Sequence, residues 1–309
     1  MNDAKLRRSA EELFAEELAA LKRGDDRPRP ENWLLSPQAV VTYVLGGTAK
    51  DGTAISAKYV GNRRLIETAV ATLATDRALL LLGLPGTAKS WVSEHLAAAV
   101  SGSSQRLIQC TAGTDENQIR YGWNYAMLLA GGPSMAALVK TPLTRAMEEG
   151  TILRLEELTR MGSDTQDTLI TVLSEKTLPI PELDTSIEAR RGTGLKLPPI
   201  KAPDQELARI VTLFRELRDG KTLNGKTQLK TSSGSLSTAE AISVGVSAWA
   251  EAAHFGQGTV EAAHMAANVV GAVVKDPVQD LVVLQEYLEN VVRSRDGWDD
   301  LYRAIREVI

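Results

Sequence analysis

The sequence predicts an α/β domain with a mostly parallel β-sheet, followed by a small all-helical domain. Residues 78–82 and 151–155 are two short apolar runs. The first is followed by a glycine and the second by an acidic pair. Short apolar runs of this kind are typical of strands buried on both faces of a parallel sheet. Helical patterns alternate with these runs, as expected for an α/β fold. From Ser237 onward apolar residues recur at helical spacing, so three or four helices without a strand are expected there.

Length and composition set the limits of this prediction. The 309 residues leave room for about two domains, and 24% charged and 43% hydrophobic residues are typical of a globular protein. The single cysteine, Cys110, excludes a disulfide framework, and three scattered histidines exclude a histidine-rich metal cluster. A net charge of -4 argues against a general nucleic-acid binder. The first residues lack an apolar signal and no stretch is long enough to span a membrane, so a cytoplasmic protein is expected.

Helices come first along the chain. The apolar spacing predicts an amphipathic helix at residues 4–22, a charged linker at 23–30, and helices at 38–45 and 62–74. Ser36 and Pro37 suit the start of the second helix, and Gly46 suits its end. Residues 1–57 form an N-terminal extension without chemistry of its own, whose first helix is expected to dock on a neighbouring subunit or a partner.

A βαβ unit is predicted next, with strand 78–82, helix 89–100 and strand 106–110. Helix 165–175 and strand 177–180 follow the second buried run, and Asn224-Gly225 suggests a hairpin at 221–227. The expected domains are therefore the extension 1–57, an α/β nucleotide-binding domain at 58–220, and a hairpin with helical domain at 221–309.

The strongest chemical motif lies between the first buried strand and its helix. It reads Gly83-Leu84-Pro85-Gly86-Thr87-Ala88-Lys89-Ser90. Glycines in such a P-loop let successive backbone N–H groups face an anion at the start of a helix, Lys89 reaches the β- and γ-phosphates, and Ser90 offers its hydroxyl to Mg²⁺. Ala88 stands where a glycine is usual, so a helical local backbone is expected there. The alternative is a chance match, but strand, loop and helix agree.

A nucleotide site of this type needs a carboxylate at the end of a second buried strand. Glu156 and Glu157 follow residues 151–155 and supply it, Glu156 on the metal side and Glu157 as the group that polarises the attacking water. Glu156 replaces the expected Asp and carries its carboxylate about 1.5 Å further out, which is unfavourable for the strict geometry of Mg²⁺. The alternative for both residues is the charged start of a surface loop.

These motifs in combination resemble the MoxR-type AAA+ ATPases. The resemblance covers about residues 58–183 and rests on the P-loop with Ala before Lys89, the acidic pair followed by Leu158-Thr159-Arg160-Met161, and the segments 166–176 and 179–183. It implies an α/β domain with a helical lid, assembled as a ring, commonly a hexamer, with ATP at each subunit boundary. It also implies a chaperone or remodelling factor that often works with a von Willebrand factor A domain protein.

The resemblance also indicates further nucleotide contacts. Val60 and Gly61, just before the helix at 62–74, resemble the family segment that contacts adenine, although a plain turn explains them equally well. The remaining expected contacts with ATP are in the P-loop and the residue after it, namely Leu84, Pro85, Gly86, Thr87, Ala88, Lys89, Ser90 and Trp91.

The chain departs from the family pattern after Leu183. The strand that carries a polar water-positioning residue, and the arginine that reaches the neighbouring subunit, are not recognisable in 184–194, and 195–200 resembles the strand beyond them. Either the natural protein lacks this strand and helix, or a disordered stretch near 192–194 is omitted from the sequence and its ends are joined. The second alternative is favoured, because loss of a central strand would expose the backbone and apolar faces of its neighbours. Arg190 and Arg191 are expected to be solvated charges.

The predicted lid also departs from the family, since no arginine stands at the start of its first helix. Ser237 and Glu240 instead form the pattern of a capping box.

Several other residues have both a functional and a plain structural interpretation. Tyr121, Trp123 and Tyr125 face the ring pore in the family and could grip a client, but core packing is the more common role for aromatic residues. Lys140 and Arg145 could contact nucleotide on a neighbour, or form a solvated face. His95 and Cys110 are expected to be packing or surface residues rather than catalytic ones.

Two functional hypotheses follow. The first is a ring-forming, Mg²⁺- and ATP-dependent remodeller or chaperone. The second is an ATP-gated scaffold of a defence or signalling complex in which hydrolysis is negligible. A nucleic-acid translocase is disfavoured by the net charge.

Overall fold

The computed structural model describes residues 7–75, 77–190 and 200–309. Arg191, the expected gap near 192–194 and most of the expected strand at 195–200 lie outside the described residues. None of the described helices is long and apolar enough to cross a membrane.

Helices make up most of the regular structure. The α-helices are α1 (Ala10–Leu13), α2 (Ala15–Gly24), α3 (Pro37–Leu45), α4 (Arg63–Ala74), α5 (Lys89–Ser101), α6 (Glu116–Ile119), α7 (Tyr125–Gly131), α8 (Pro142–Glu149), α9 (Ser163–Glu175), α10 (Asp204–Asp219), α11 (Thr238–His254), α12 (Ala262–Val273), α13 (Gln279–Asn290) and α14 (Asp299–Arg306). Short 3₁₀ turns occur at Leu158–Arg160, Pro181–Leu183 and Val292–Ser294.

The strands are short and pair two by two. They are β1 (Gly47–Thr48), β2 (Ala54–Ile55), β3 (Leu107–Gln109), β4 (Tyr121–Trp123), β5 (Leu138–Lys140), β6 (Arg154–Glu156), β7 (Thr177–Ile180) and β8 (Thr185–Glu188). β3 and β6 pair in parallel, with Gln109 opposite Glu156, whereas β1–β2, β4–β5 and β7–β8 are antiparallel. The β3–β6 pair therefore carries Glu156 at its carboxyl end, where parallel strands present site residues.

The chain divides into two compact units. The first comprises residues 1–61 and 77–195, and its core lies around β3, β4, β7 and α9, with Ile119, Leu178 and Ile180 fully buried. Cys110 follows β3 in this core and is also fully buried, as expected of a small packing residue. Strand β7 has the predicted bounds, whereas its partner β8 was not predicted.

Residues 78–82 do not form the predicted buried strand. Leu80 is 65% and Leu82 69% exposed, and no strand among the described residues pairs with this run. An apolar run becomes an inner strand only when neighbours on both sides take up its N–H and C=O groups. The prediction was wrong because, among the described residues, no strand lies alongside this run to take up its backbone groups.

The N-terminal extension packs on its own chain. Helix α1 contacts α5, where Glu94 accepts hydrogen bonds from Arg7 Nη2 (2.6 Å) and the Ala10 backbone N–H (3.2 Å). The predicted single helix is interrupted at Phe14, whose ring contacts the rings of Tyr43 and His95. Docking of this helix on another subunit or a partner stays a prediction.

The second unit comprises residues 62–76 and 196–309 and is helical. Helix α4 packs against α11 and α12, and α10, α13 and α14 complete a core that includes Leu217, Met265 and Leu284. The predicted capping box is confirmed, since Ser237 Oγ accepts from the Glu240 backbone N–H at 3.2 Å and Glu240 Oε2 accepts from the Ser237 N–H at 2.6 Å. The predicted hairpin is reduced to a tight turn at Asn224-Gly225 and one antiparallel bridge, Lys221 with Gln228.

Glu251 predicts a pH-dependent stability for this unit. The carboxyl group is buried against Asn268 Nδ2 (2.9 Å), and burial raises its pKa to about 7. The folded unit therefore holds this proton up to about pH 7, whereas an unfolded Glu loses it near pH 4.3. The contribution of Glu251 to the free energy of unfolding is therefore fully present at low pH. It falls by about 2 kcal/mol as the pH rises from 5 to 7.

Glu251→Gln is expected to remove this pH dependence, because glutamine does not titrate. Urea unfolding at pH 5, 6 and 7 measures it, with Glu286→Gln, at a half-exposed ion pair in the same unit, as the matched control. Equal pH slopes in both variants would contradict the burial argument.

Candidate functional site

The P-loop lies directly before α5, which begins at Lys89. Lys89 Nζ donates to the carbonyl oxygens of Gly83 (2.9 Å) and Leu84 (2.8 Å), and Thr87 Oγ1 donates to the Leu84 carbonyl at 2.7 Å. The ammonium is thus held inside the curve of its own loop, at the amino end of a 13-residue helix, where an anion is stabilised.

Ala88 adopts a left-handed backbone conformation, with φ of 60° and ψ of 22°. The expectation of an ordinary helical backbone at this position was wrong, because Ala88 is the cap that precedes α5 rather than part of it. A residue with a Cβ pays roughly 1–2 kcal/mol in this region, which is why a glycine is favoured there.

Ala88→Gly is therefore expected to stabilise the protein by up to ~1 kcal/mol, since relief of strain outweighs the greater freedom of glycine in the unfolded chain. Chemical unfolding measures this change. The control is Ala97→Gly in the buried interior of the same helix, which is expected to destabilise by about 1 kcal/mol or more. A loss of stability at both positions would contradict the assignment of strain to Ala88.

Glu156 lies next to Ser90. Its Oε2 accepts from Ser90 Oγ at 2.5 Å, and its Oε1 accepts from Ser93 Oγ at 2.7 Å and from the guanidinium of Arg154 at 3.0 Å. Burial alone would raise the pKa of Glu156, but the hydrogen bonds from Ser90, Ser93 and Arg154 outweigh it and the pKa is lowered. The carboxylate is therefore ionised at neutral pH.

Glu157 is oriented differently from Glu156. It has a left-handed backbone (φ 56°), its side chain is 57% exposed, and its carboxylate lies 3.4 Å from Arg160 Nε. A non-glycine residue in this conformation is strained, and such strain is often found at functional sites. The carboxylate faces solvent rather than the core.

The fit of a metal ion can be judged from the donor set. Ser90 and Glu156 supply hard oxygen donors side by side, the kind that Mg²⁺ accepts together with phosphate oxygens and water. Among the described residues no cluster of three or more His, Cys, Asp or Glu could hold a metal ion by itself, without phosphate oxygens as further ligands. The residues thus suit Mg²⁺ bound with a nucleotide.

Trp91 is tied to the residues that precede the segment expected to contact adenine. The indole Nε1 of Trp91 donates to the Lys58 carbonyl at 2.8 Å, which ties α5 to the residues leading into Gly61. Val60 is 92% exposed. The structure thus joins Trp91, the residue after the P-loop, to Lys58, two residues before Val60.

His95 and the aromatic residues have mainly structural environments. His95 is fully buried, its Nδ1 lies 3.0 Å from Tyr43 Oη, and burial lowers its pKa to about 4. Tyr121 is buried in the core and donates to Glu182, whereas Tyr125 is 77% exposed. Of the three proposed client-gripping residues, Trp123 is half-buried and Tyr125 alone is largely exposed.

Lys140 and Arg145 were considered as contacts with nucleotide bound to a neighbouring subunit. Lys140 pairs with Glu148 at 2.8 Å, and Arg145 is exposed on α8.

Sequence reasoning missed Arg154 and Ser93. A signal was present, because Arg154 interrupts an apolar run two residues before Glu156, on the same face of a strand. Ser93 lies three residues after Ser90, hence on the same side of α5.

The chain also has relatives among known proteins. A family model described as "AAA domain (dynein-related subfamily)" matches residues 78–228, and one described as "YehL-like AAA+ ATPase C-terminal domain" matches residues 190–308. A protein of Escherichia coli (strain K12) described as "Uncharacterized protein YehL" is 35% identical over an alignment of 353 positions, gaps included, which spans 94% of each chain.

The chain belongs to the YehL-like family of AAA+ ATPases. Its fold is accordingly an AAA+ P-loop domain with a parallel sheet and a helical C-terminal region. Only 94% of the 309 residues of this YehL-like chain enter the 353 positions, so about 60 residues of the relative have no counterpart here. No solved structure matches the chain.

Proposed function

We propose that this chain binds ATP with Mg²⁺ at the P-loop and hydrolyses it. The observation that carries the proposal is the meeting of Lys89, Ser90 and Glu156 at the start of α5, with a cation inside the loop and a carboxylate beside a hydroxyl. Membership of an AAA+ family supports the same conclusion.

Each residue has a distinct proposed task. Lys89 exchanges its carbonyl partners for the β- and γ-phosphates, and the backbone N–H groups of Gly86, Thr87 and Ala88 bind phosphate oxygens. Ser90 and Glu156 hold the metal ion with its water. Bound Mg²⁺ supplies neutralisation of the phosphate charge.

Glu157 is proposed as the group that accepts a proton from the attacking water. Its carboxylate is exposed and its weak contact with Arg160 is easily exchanged. A carboxylate in this role needs access to the bound nucleotide, which its exposure provides.

The base of the nucleotide is proposed to lie against Val60, Gly61 and Trp91. The exposure of Val60 and the link between Trp91 and Lys58 support this placement.

The wider activity is proposed from the resemblance to MoxR-type ATPases. We propose a cytoplasmic ring, with a hexamer as the expected size, that remodels or chaperones a protein partner, and a von Willebrand factor A domain protein as the partner class to test first. The exposed apolar residues Tyr125 and Leu129 on α7 support contact with another protein.

The second candidate is an ATP-gated scaffold with negligible hydrolysis. It is favoured by one observation, the glutamate at position 156 where an aspartate is expected, which suits the strict geometry of Mg²⁺ less well. Mass determination with and without ATP, together with the turnover of the same sample, separates the two. ATP-dependent assembly with turnover supports the remodeller, and assembly without turnover supports the scaffold.

A further inference from the structure

Arg154 is a buried cation beside the proposed metal site. Its side chain is 9% exposed, and it donates to Ser93 Oγ (3.1 Å), the Ser104 carbonyl (3.2 Å), the Ser90 carbonyl (3.2 Å) and Glu156 Oε1 (3.0 Å). A guanidinium has a fixed planar fork of donors, so these contacts hold it in one orientation. Arg154 therefore connects β6 to the start of α5 and to the segment after its end.

The two carboxylate oxygens of Glu156 have different surroundings. Oε1 accepts from both Ser93 and Arg154, whereas Ser90 is the one donor recorded for Oε2 among the described residues. Ser93 also accepts from Arg154 Nε, so the three side chains form a closed triangle. Such a triangle fixes the rotamer of a flexible glutamate.

We propose that Arg154 and Ser93 are positioning residues that hold Glu156 by Oε1 and thereby keep Oε2 beside Ser90 for the metal ion and its water. The inference rests on the proposed function. It explains how a glutamate can stand where an aspartate is expected, because the extra methylene is taken up by drawing the carboxylate towards Ser93 and Arg154.

The test is the gain in ATP affinity that Mg²⁺ provides. Equilibrium titration of the full chain with a fluorescent ATP analogue, in Mg²⁺ and in EDTA, gives the ratio of the two dissociation constants for each variant. Partners that orient metal ligands typically change metal affinity about 10–100-fold. We therefore expect Ser93→Ala to reduce the ratio about 10-fold and Arg154→Met to reduce it further, with the affinity in EDTA unchanged because Lys89 is intact.

Two conservative variants and one control sharpen the result. Ser93→Thr keeps a hydroxyl and is expected to restore most of the gain, and Arg154→Lys keeps the charge without the fork and is expected to restore part of it. The control is Ser101→Ala, on the same helix, where the hydroxyl accepts from the Ile152 backbone N–H at 2.9 Å and does not contact Glu156. It is expected to keep the full ratio.

The outcomes separate the inference from the proposed function. A wild-type chain that binds no ATP contradicts the proposed function. A wild-type chain whose Mg²⁺-dependent gain persists in Ser93→Ala overturns the inference alone. If Arg154→Met does not fold, because its contacts at both ends of α5 are lost, the Ser93 variants still decide.

Discussion

Replacing Lys89 by alanine is expected to weaken ATP binding on the order of 100-fold. The ammonium is the cation that the structure places inside the loop, held by the carbonyls of Gly83 and Leu84 rather than by a carboxylate. It is therefore free to exchange these neutral partners for phosphate oxygens, and hydrogen bonds to charged groups contribute about 1.5–3 kcal/mol each. Equilibrium titration with ATP measures the loss.

The matched control for this variant is Lys22→Ala, an exposed lysine on α2 in the same unit. It is expected to bind ATP as the wild type does. Retained ATP affinity in Lys89→Ala would refute the assignment of the phosphate site.

Replacing Glu157 by glutamine is expected to abolish turnover while ATP still binds. Glutamine keeps the size and exposure of the side chain but cannot accept a proton, and a positioned general base contributes roughly 10²–10⁴-fold to a rate. Steady-state phosphate release at saturating ATP measures turnover, and the same titration as for Lys89 measures binding. The loss should therefore fall on kcat and leave the dissociation constant of ATP nearly unchanged.

An exposed glutamate in the same unit provides the comparison. Glu175→Gln, at the end of α9, is expected to leave both turnover and binding unchanged. Full turnover in Glu157→Gln would mean that another group activates the water.

The elements that local sequence determines were predicted well. Helix α5, helix α4, strand β7 and the capping box at Ser237 and Glu240 follow from apolar spacing and cap residues, which act over a few neighbouring residues. The placement of Ser90 close to Glu156 also followed from general rules, since both stand at the ends of elements that meet at the carboxyl edge of parallel strands.

What could not be predicted depends on partners distant in sequence. Residues 78–82 have the composition of an inner strand, but a strand forms only with neighbours. Among the described residues no strand pairs with this run, and Leu80 and Leu82 are exposed. The N-terminal helix has an apolar stripe that could have packed on many surfaces. In the structure its two parts contact different helices of the same chain, α1 with α5 and α2 with α3.

The candidate site also has features that local sequence predicts and features that depend on distant contacts. The residue types of the P-loop and the acidic pair were readable because their chemistry requires them at that spacing. The roles of Arg154 and Ser93 were not predicted from the sequence, because their contacts join a strand to a helix about 60 residues away in sequence. The left-handed backbone of Ala88 was also missed, since its Cβ gives no sign of it.

The most direct test of the central claim is ATP hydrolysis by the purified chain in Mg²⁺, measured over a range of protein concentrations beside Glu157→Gln. The proposed function predicts turnover that depends on Mg²⁺, exceeds that of the variant by at least 100-fold, and rises per chain as the concentration favours assembly. Turnover no greater than that of Glu157→Gln at every concentration would contradict it.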